Sequence, residues 1–422
     1  MILRDRPRCK QLFLTPLSVL LAVVCGCGPD VARAVEDDHF YVLQPDSIST
    51  AALTEAGFHW LILEPTSDGG ASGDFTSEQI SQIRSDGPCH KTILAYLSVG
   101  EAEDYRDYWD PGWVDESGDP IPGVAPEWLG PTNPDWPGNY KVRYWHPEWE
   151  ALIMGTPAGP DKTPLDRIID QGFDGVYLDI IDAYEFWSSP EGGSELTRMD
   201  ARIRMIEFIE NIAEYARITR GVAGFLVFPQ NAGEIIRDDD DQFDAETDRY
   251  FAAISGIGQE DLFYDELTPQ PPENVDYVLD QLREFYIRSK TVLVTDYVID
   301  QDKPGSGIND ARVSDFYTRC RAEGFVPYAA HRNRNLDEVV TFSMGEGWTF
   351  SQPAPGCWSD VLGDFDGDRD VDLDDFSGVA QCLTGPNTPA SPDCAAADLD
   401  TDTDVDIQDC ARFQTTFSGD GG

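Results

Sequence analysis

Several apolar, strand-forming segments of this chain end in side chains capable of acid–base or nucleophilic chemistry. The run Lys91–Val99 opens at Gly100 into charged residues, and the runs Gly175–Ile181, Phe225–Asn231 and Thr291–Tyr297 end in acids or amides. Because the carboxyl ends of buried parallel strands meet at one edge, we expect these groups to converge there. The side chains concerned are Glu101, Glu103, Arg106, Asp179, Asp182, Tyr184, Gln230, Asn231, Glu260, Asp296 and Tyr297.

Two of these acids occupy positions that suit a nucleophile and a proton donor. Asp179 ends the fourth strand-like run, and two-residue alternation places it on the face of Tyr177 and Ile181, pointing into the mouth of a barrel. Glu260 follows a weak sixth run, where apolar neighbours could keep a carboxylic acid protonated near neutral pH. We therefore predict that Asp179 and Glu260 are catalytic.

The remaining polar groups are predicted to bind substrate. Glu101 and Glu103 share a face if the strand continues, and Arg106 is close enough in sequence to pair with one of them. Either these groups recognise amino or hydroxyl groups of a substrate or they brace the loop, and the brace is favoured for Glu103 and Arg106. The predicted contacts to substrate hydroxyl groups are Asp182, Tyr184, Gln230, Asn231, Asp296 and Tyr297.

The elements that must position these residues alternate between strand and helix. Eight strand-like runs begin at Phe40 and end at Tyr328, and helical patterns such as Leu196–Ile218 and Val275–Arg288 lie between them. This alternation predicts an α/β fold of the (β/α)8 TIM barrel class. A doubly wound open sheet is the alternative, but no glycine-rich dinucleotide fingerprint follows the first strand.

One long segment, residues 110–148, has neither helical nor strand periodicity and is rich in proline, glycine and tryptophan. Its position after the third strand predicts a loop over the barrel mouth. We expect most of its tryptophans to pack the loop onto the barrel, with one or two facing a ligand.

Composition indicates an exported protein. The net charge of −48 argues against binding nucleic acid or an anionic lipid surface, and it favours cationic or neutral partners unless it only maintains solubility. Residues 1–34 have basic residues followed by a short apolar run, as in an export signal. Cys27 could carry a lipoprotein lipid, or cleavage could follow Ala34. Six cysteines remain beyond this signal, and Cys382 with Cys394 is the favoured disulfide.

Two aspartate-rich loops follow a composition break. Residues 364–375 and 398–409 place aspartates at alternate positions, with Val371 or Val405 at the eighth and a carboxylate at the twelfth, a pattern that wraps Ca²⁺. The sixth position, usually glycine, is Arg369 or Thr403. The predicted ligands are Asp364, Asp366, Asp368, Asp370, Asp375, Asp398, Asp400, Asp402, Asp404 and Asp409.

These duplicated loops resemble dockerin modules. The resemblance covers residues 360–419 and implies a small all-α domain that binds two Ca²⁺ ions and docks onto a cohesin-like partner. A disordered acidic tail is the alternative. The predicted domains are then an export signal at 1–34, a barrel at 37–350, a linker at 351–359 and a calcium-binding domain at 360–419.

Four motifs of the barrel segment carry a second resemblance: GEAEDYR at 100–106, WPGNY at 136–140, WHPEW at 145–149 and GFDGVYLD at 172–179. They resemble glycoside hydrolase family 114, the endo-α-1,4-polygalactosaminidases and their bacterial relatives, over residues 37–335. The resemblance implies a (β/α)8 barrel, retaining cleavage of α-1,4-linked galactosamine polymers, and catalytic acids after strands four and six. Asp179 then serves as nucleophile and Glu260 as general acid.

The sequence thus predicts a secreted or surface-anchored glycoside hydrolase whose catalysis needs no cofactor. Unacetylated galactosamine is cationic, so an acidic barrel mouth would attract it. Two alternatives are an inactive carbohydrate-binding or surface scaffold protein, and a glycosidase for a neutral or N-acetylated polysaccharide. Retention requires carboxyl groups about 5 to 5.5 Å apart, whereas a separation of about 6.5 to 9.5 Å indicates inversion.

Overall fold

The structure is a computed structural model that describes most of the chain between residues 39 and 350 and part of the C-terminal region. The described residues are 39–42, 49–85, 90–155, 162–303, 307–338, 342–344, 348–350, 376, 379–380, 382–386, 388–389, 394, 397, 399 and 403–416. The predicted export signal, the linker and the first predicted calcium loop lie outside these residues. Within the described residues, no helix is long and apolar enough to cross a membrane.

Eight parallel strands form the centre of the fold. They are β1 (His39–Val42), β2 (Trp60–Leu63), β3 (Thr92–Ser98), β4 (Gly175–Asp179), β5 (Leu226–Pro229), β6 (Gly256–Glu260), β7 (Thr291–Ile299) and β8 (Val326–His331). Hydrogen bonds join β1 to β5 in sequence order, and they join β6, β7 and β8 in the same way. A bridge from Gln230 to Gly258 links the two groups beyond β5, and β8 contacts β1. The strands therefore form a barrel-like ring.

The helices lie between the strands in chain order, as the sequence pattern predicts. They are α1 (Thr50–Glu55), α2 (Ser77–Ser85), α3 (Pro147–Met154), α4 (Pro164–Gln171), α5 (Ala183–Ser188), α6 (Arg198–Glu214), α7 (Ala245–Ala253), α8 (Pro272–Tyr286), α9 (Gly307–Glu323) and, in the C-terminal region, α10 (Ile407–Thr416). Thr163 caps α4 and Thr197 caps α6 by accepting a backbone N–H. Short 3-10 turns occur at Ala71–Gly73, Pro111–Trp113 and Gly233–Ile236, and a π turn at Tyr215–Thr219 follows α6.

The core explains why the strand runs are so apolar. Every residue of β2 is buried, as are the first four of β4, because each strand has side chains on both faces covered by protein. Burial at about 25 cal/mol per Å² of apolar surface stabilises such strands without any need for strong local propensity. The α/β fold with parallel strands in barrel-like order was correctly predicted.

Residues 110–148 do not form the irregular loop predicted from the sequence. Strand Asn139–Val142 pairs with Glu101–Glu103 on one side and with Leu129–Thr132 on the other. We call this three-stranded antiparallel sheet the mouth sheet because it follows the carboxyl end of β3. The prediction failed because these strands are short and include Gly130 and Pro131, and because their partner lies far away in sequence. Two small antiparallel pairs also occur, Tyr264–Asp265 with Thr268–Pro269 and Phe342–Met344 with Trp348–Phe350.

Most tryptophans of this segment pack against one another, as predicted. Trp113 and Trp149 both contact Trp128, with ring centroids 5.4 and 4.9 Å away. Trp109 contacts Trp113 at 5.3 Å and stacks on Tyr140 at 4.6 Å. These rings attach the mouth sheet to the barrel through apolar burial.

The described C-terminal residues include a small apolar cluster. Val379, Ala397, Leu399, Val405 and Phe413 are buried together, and α10 supplies Phe413. The predicted Cys382–Cys394 disulfide is present. Its two ends are twelve residues apart in sequence, so it closes a short loop within this region.

Candidate active site

Asp179 occupies the carboxyl end of β4, and two donors hold its carboxylate. The Tyr96 hydroxyl, from the neighbouring strand β3, donates to Oδ2 at 2.6 Å, and the Ile180 backbone N–H donates to Oδ1 at 2.8 Å. Both bonds favour the ionised form. The carboxylate is therefore fixed in one orientation at the barrel mouth.

The backbone just after Asp179 is strained. Ile180 has φ of 60°, a left-handed conformation that a β-branched residue adopts at a cost of about 1–3 kcal/mol. Gly100 permits this turn, because a Cβ at that position would lie 2.2 Å from the Ile180 carbonyl oxygen. The strained turn directs the Ile180 N–H at Asp179, so the glycine of the GEAEDYR motif supports the candidate nucleophile.

Glu260 ends β6 and is held from two other strands. The Tyr297 hydroxyl, on β7, donates to Oε1, and the side-chain amide of Asn231, after β5, donates to Oε2 at 3.5 Å. The Asn231 side-chain oxygen Oδ1 also accepts the Glu260 backbone N–H at 2.9 Å. Asn231 takes φ of 57°, which this residue type tolerates well. Asn231 and Tyr297, predicted to bind substrate, thus orient Glu260.

The Tyr177 side chain extends from β4 to Gly258 on β6, inside the barrel. A Cβ at Gly258 on β6 would lie 1.8 Å from the Tyr177 hydroxyl, so the absence of a side chain at Gly258 makes room for this ring. The charges of Glu260 and Asp179 both raise the pKa of Tyr177, after burial as the main cause. Asp179 ends β4 two residues after Tyr177, and Glu260 ends β6 two residues after Gly258, so both acids lie at the carboxyl end of the barrel.

Burial dominates the electrostatics of both acids. It raises the pKa of Asp179 from its ordinary value of 3.8 to about 7, and the charge of Glu260 adds to the increase while the Tyr96 hydrogen bond opposes it. Burial likewise raises the pKa of Glu260, against the Tyr297 hydrogen bond. Both acids therefore hold their protons to higher pH than ordinary carboxyl groups, as a proton donor at an active site must.

Arg334 stabilises the Glu260 side of the site and was not predicted from the sequence. Its guanidinium lies 4.0 Å from the centre of the Tyr297 ring and pairs with both oxygens of Asp261 at 2.7 and 2.8 Å. Tyr297 in turn donates to Glu260. This stack fixes the tyrosine that orients the acid. In the sequence, Arg334 is a basic residue just beyond the last barrel strand. Many surface arginines have the same local pattern, so the sequence does not single it out.

Glu103 and Arg106 form the predicted brace, with Glu64 as an unpredicted third member. Arg106 donates to Glu103 at 2.6 Å and to both oxygens of Glu64 at 2.6 and 2.9 Å. All three side chains are less than a tenth exposed. Glu64 directly follows β2, so the brace joins the β2 end to the mouth sheet.

Glu101 begins the first strand of the mouth sheet and is completely buried. Its oxygens accept hydrogen bonds from the amides of Asn133 and Asn139 at 2.8 and 3.2 Å, and Lys141 lies 2.5 Å from Oε1. The prediction of substrate contact therefore does not fit this position. Glu101 instead fixes the hairpin 129–142 against the end of β3.

Asp296 also has a different role from the one predicted. It is completely buried and accepts the backbone N–H groups of Leu262, Phe263 and Tyr264 at 2.8 to 3.0 Å. Burial raises the pKa of Asp296 to about 7 against these hydrogen bonds. Because the carboxylate accepts three hydrogen bonds from the loop after β6, it holds the loop that follows Glu260 instead of lining the rim.

The other predicted binding residues divide between the surface and the interior. Asp182 is exposed at the start of α5, where a substrate could reach it. Tyr184 is fully buried and its hydroxyl bonds Glu185 at 3.0 Å, while Gln230 is buried at the bridge between β5 and β6. Of these three, Asp182 fits the predicted contact with substrate best.

A separate acidic cluster occurs in the C-terminal region. Asp404, Asp406 and Asp409 are buried, and each offers a carboxylate oxygen within 4.8 Å of the others. Thr403, at the sixth position of the predicted loop, has φ of 81°, the backbone turn normally made there by glycine. Asp406 was not among the predicted ligands. Asp398, Asp400 and Asp402, like all five ligands of the first loop, lie outside the described residues.

Comparison with known proteins identifies the barrel segment. The family model described as glycoside-hydrolase family GH114 matches residues 69–346. An uncharacterized protein of Methanocaldococcus jannaschii is 35% identical over 302 residues, which cover 72% of this chain and 78% of the relative. An uncharacterized protein of Thermotoga maritima is 36% identical over 303 residues, covering 72% and 83%. One from Deinococcus radiodurans is 32% identical over 290 residues, covering 68% and 77%.

Proposed function

Since the chain belongs to glycoside-hydrolase family GH114, we propose that it cleaves an α-1,4-linked, galactosamine-containing polysaccharide by a retaining mechanism. Family membership supports the general activity, hydrolysis of a glycosidic bond. The linkage, the sugar and the stereochemistry are parts of the proposal. The observation that carries it is that Asp179 and Glu260 end β4 and β6 at the same end of the barrel, where the charge of Glu260 raises the pKa of Asp179.

In the proposed mechanism the two acids have different tasks. Glu260 protonates the oxygen of the leaving sugar while the Asp179 carboxylate attacks the anomeric carbon, forming a covalent glycosyl–enzyme ester. Glu260, now ionised, then takes a proton from water, which attacks the same carbon and releases Asp179. Tyr96 and the Ile180 N–H hold the nucleophile, and Tyr297 and Asn231 hold the acid.

A cationic substrate fits the electrostatics of this site. Asp179 must be ionised to attack, yet its pKa is about 7 when the mouth holds no substrate. An ammonium group nearby would lower that pKa and favour the carboxylate. The whole chain carries a net charge of −48, which adds a long-range attraction for a polycation.

The substrate proposal is tested with two polymers of α-1,4-galactosamine, one deacetylated and one fully N-acetylated. Release of reducing ends by the full chain is measured at about 0.02 and 0.5 M salt. We expect faster cleavage of the deacetylated polymer and a rate that falls as salt rises, because ions screen the attraction. Equal, salt-insensitive rates on both polymers would refute the cationic substrate but leave the glycosidase.

We further propose that the C-terminal region is a dockerin-like domain that binds Ca²⁺. The buried Asp404, Asp406 and Asp409 fit this ion, because three desolvated carboxylates so close together repel one another without a cation. The left-handed backbone conformation of Thr403 is the one that a calcium loop needs at its sixth position. The bound ion would serve folding of the domain rather than catalysis.

The calcium proposal predicts that chelation destabilises this domain. EDTA should lower a thermal unfolding transition of the full chain, excess Ca²⁺ should restore it, and Asp409→Asn should weaken Ca²⁺ binding measured by calorimetry. Asp240→Asn, in the exposed acidic run 238–241, is the matched control and should bind Ca²⁺ like the parent. Unchanged calorimetry in Asp409→Asn would contradict this assignment of the ligands.

Two cellular proposals follow from the sequence pattern. The protein is exported, either anchored through a lipid on Cys27 or cleaved after Ala34, and the C-terminal domain docks onto a cohesin-like protein. Mass spectrometry of the N-terminus from the exporting cell distinguishes lipidation from cleavage. An intact N-terminus that begins at Met1 would contradict export.

A further inference from the structure

Trp136 differs from the other tryptophans that the structure describes. This residue is 60% exposed, whereas the other tryptophans whose burial the structure describes are buried or half-buried in ring clusters. A large aromatic group at a loop tip gains nothing from burial in the folded chain. An exposed indole ring is available for stacking with a ligand outside the chain.

The turn that carries Trp136 is rigidly attached to the mouth sheet. The Asn133 N–H donates to the Asn139 carbonyl at 2.7 Å, and the Asn139 N–H donates to the Trp136 carbonyl at 3.0 Å. The side-chain amides of the same two asparagines bind the buried Glu101. The tryptophan is thus presented on a preorganised hairpin, which limits the entropy lost on binding.

Two exposed acidic residues lie in or against the turn that carries Trp136. Asp135 is the preceding residue, and the Asp104 N–H donates to the Gly138 carbonyl at 2.9 Å. A Cβ at Gly138 would lie 3.0 Å from Asp104 Oδ1, so that carboxylate lies against the turn. The nearby cation Arg106 is bound to Glu64 and Glu103. An aromatic face beside two acids is complementary to a protonated amine.

The hairpin begins next to the catalytic residues. Gly100 packs on Ile180, the neighbour of Asp179, and Lys141 pairs with Glu101. Lys141 and Trp136 are five residues apart in the chain, so their backbones are at most about 17 Å apart at about 3.3 Å for each residue. A polymer bound at the catalytic pair could span this distance with a short run of sugars.

We propose that Trp136, with Asp104 and Asp135, forms an outer subsite for a protonated amino sugar of the polymer. The sugar ring packs on the indole, and its ammonium group interacts with the ring face and the two carboxylates. This inference rests on the proposed function for the identity of the polymer. It adds a binding position outside the catalytic pair.

Binding to polymer, measured without hydrolysis, tests the subsite. Asp179→Asn in the full chain serves as the non-cleaving parent, and its retention by deacetylated and N-acetylated galactosamine polymers is compared in affinity electrophoresis. Adding Trp136→Ala should weaken binding to the deacetylated polymer about tenfold, and Trp136→Phe should retain most of it. Asp135→Asn should weaken binding to the deacetylated polymer only.

The matched control is Tyr277→Ala, which removes an aromatic side chain of similar exposure, 54%, from α8. It should bind as the parent does. Unchanged binding in Trp136→Ala overturns the subsite, and an equal loss on both polymers overturns its preference for an amine. If the wild-type chain cleaves neither polymer while Asp179→Asn still binds through Trp136, the proposed function fails and the subsite stands. Failure of the parent to bind the deacetylated polymer overturns both.

Discussion

Asp179→Asn is expected to lower kcat for the glycosidic substrate by about a thousandfold or more, and Glu260→Gln by about a hundred- to ten-thousandfold. The first variant loses the attacking carboxylate, whereas the second loses the proton for the leaving group. Initial rates on the deacetylated polymer measure both effects. Asp240→Asn, which alters an exposed acid that the site does not use, is the control and should retain activity.

Azide rescue distinguishes the two roles. In Asp179→Ala, azide can occupy the space of the nucleophile and attack the anomeric carbon directly, which gives a glycosyl azide of inverted configuration. In Glu260→Ala, azide attacks the glycosyl–enzyme ester and gives the retained configuration. Proton NMR of the product identifies the anomer. An inverted product from Glu260→Ala would contradict the assignment of roles.

Stability measurements show whether a loss of activity reflects misfolding. The pKa of Asp179 is about 7 in the folded protein, whereas the unfolded chain ionises an aspartate near pH ~3.9. The contribution of Asp179 to the free energy of unfolding is therefore fully present below about pH 4, and it is lost as the pH rises to about 7. Asparagine carries no charge, so Asp179→Asn should melt higher than wild type at pH 8 and equally near pH 4. A lower melting temperature at pH 8 would contradict the burial of this charge.

Arg106→Met is expected to destabilise the barrel by about 3–5 kcal/mol, the largest stability effect predicted here. The methionine fills similar space but leaves Glu64 and Glu103 without their cation in a nearly water-free position. The pKa of Glu64 is already about 7 because burial outweighs the attraction of Arg106. Removing that attraction raises it further, so the loss should be greater at pH 8 than at pH 5.

Urea unfolding monitored by tryptophan fluorescence measures this change. Arg283→Met is the control, because Arg283 makes a similar two-bond pair with Glu323 at 2.7 and 2.6 Å but is 52% exposed. Solvent screens that pair, so we expect a loss of at most about 1 kcal/mol. Similar losses in both variants would show that the buried brace has no special role.

The sequence alone was sufficient for the barrel-like order of strands and for the position of Asp179. Runs such as Thr92–Ser98 and Gly175–Asp179 are apolar on both faces and are separated by helical periods, and local patterns of this kind survive in any context that buries them. The Cys382–Cys394 disulfide was also predictable, because the closed loop is short.

Only the tertiary structure decided the roles of the groups around the acids. Glu101, Asp296 and Tyr297 all follow or end apolar runs, yet one holds a hairpin, one holds a loop and one holds Glu260. Their partners lie more than thirty residues away in sequence in each case. A carboxylate or hydroxyl group has the same local pattern whether its partner is a substrate or another part of the chain. Its role therefore depends on which distant donors the fold brings within hydrogen-bonding distance.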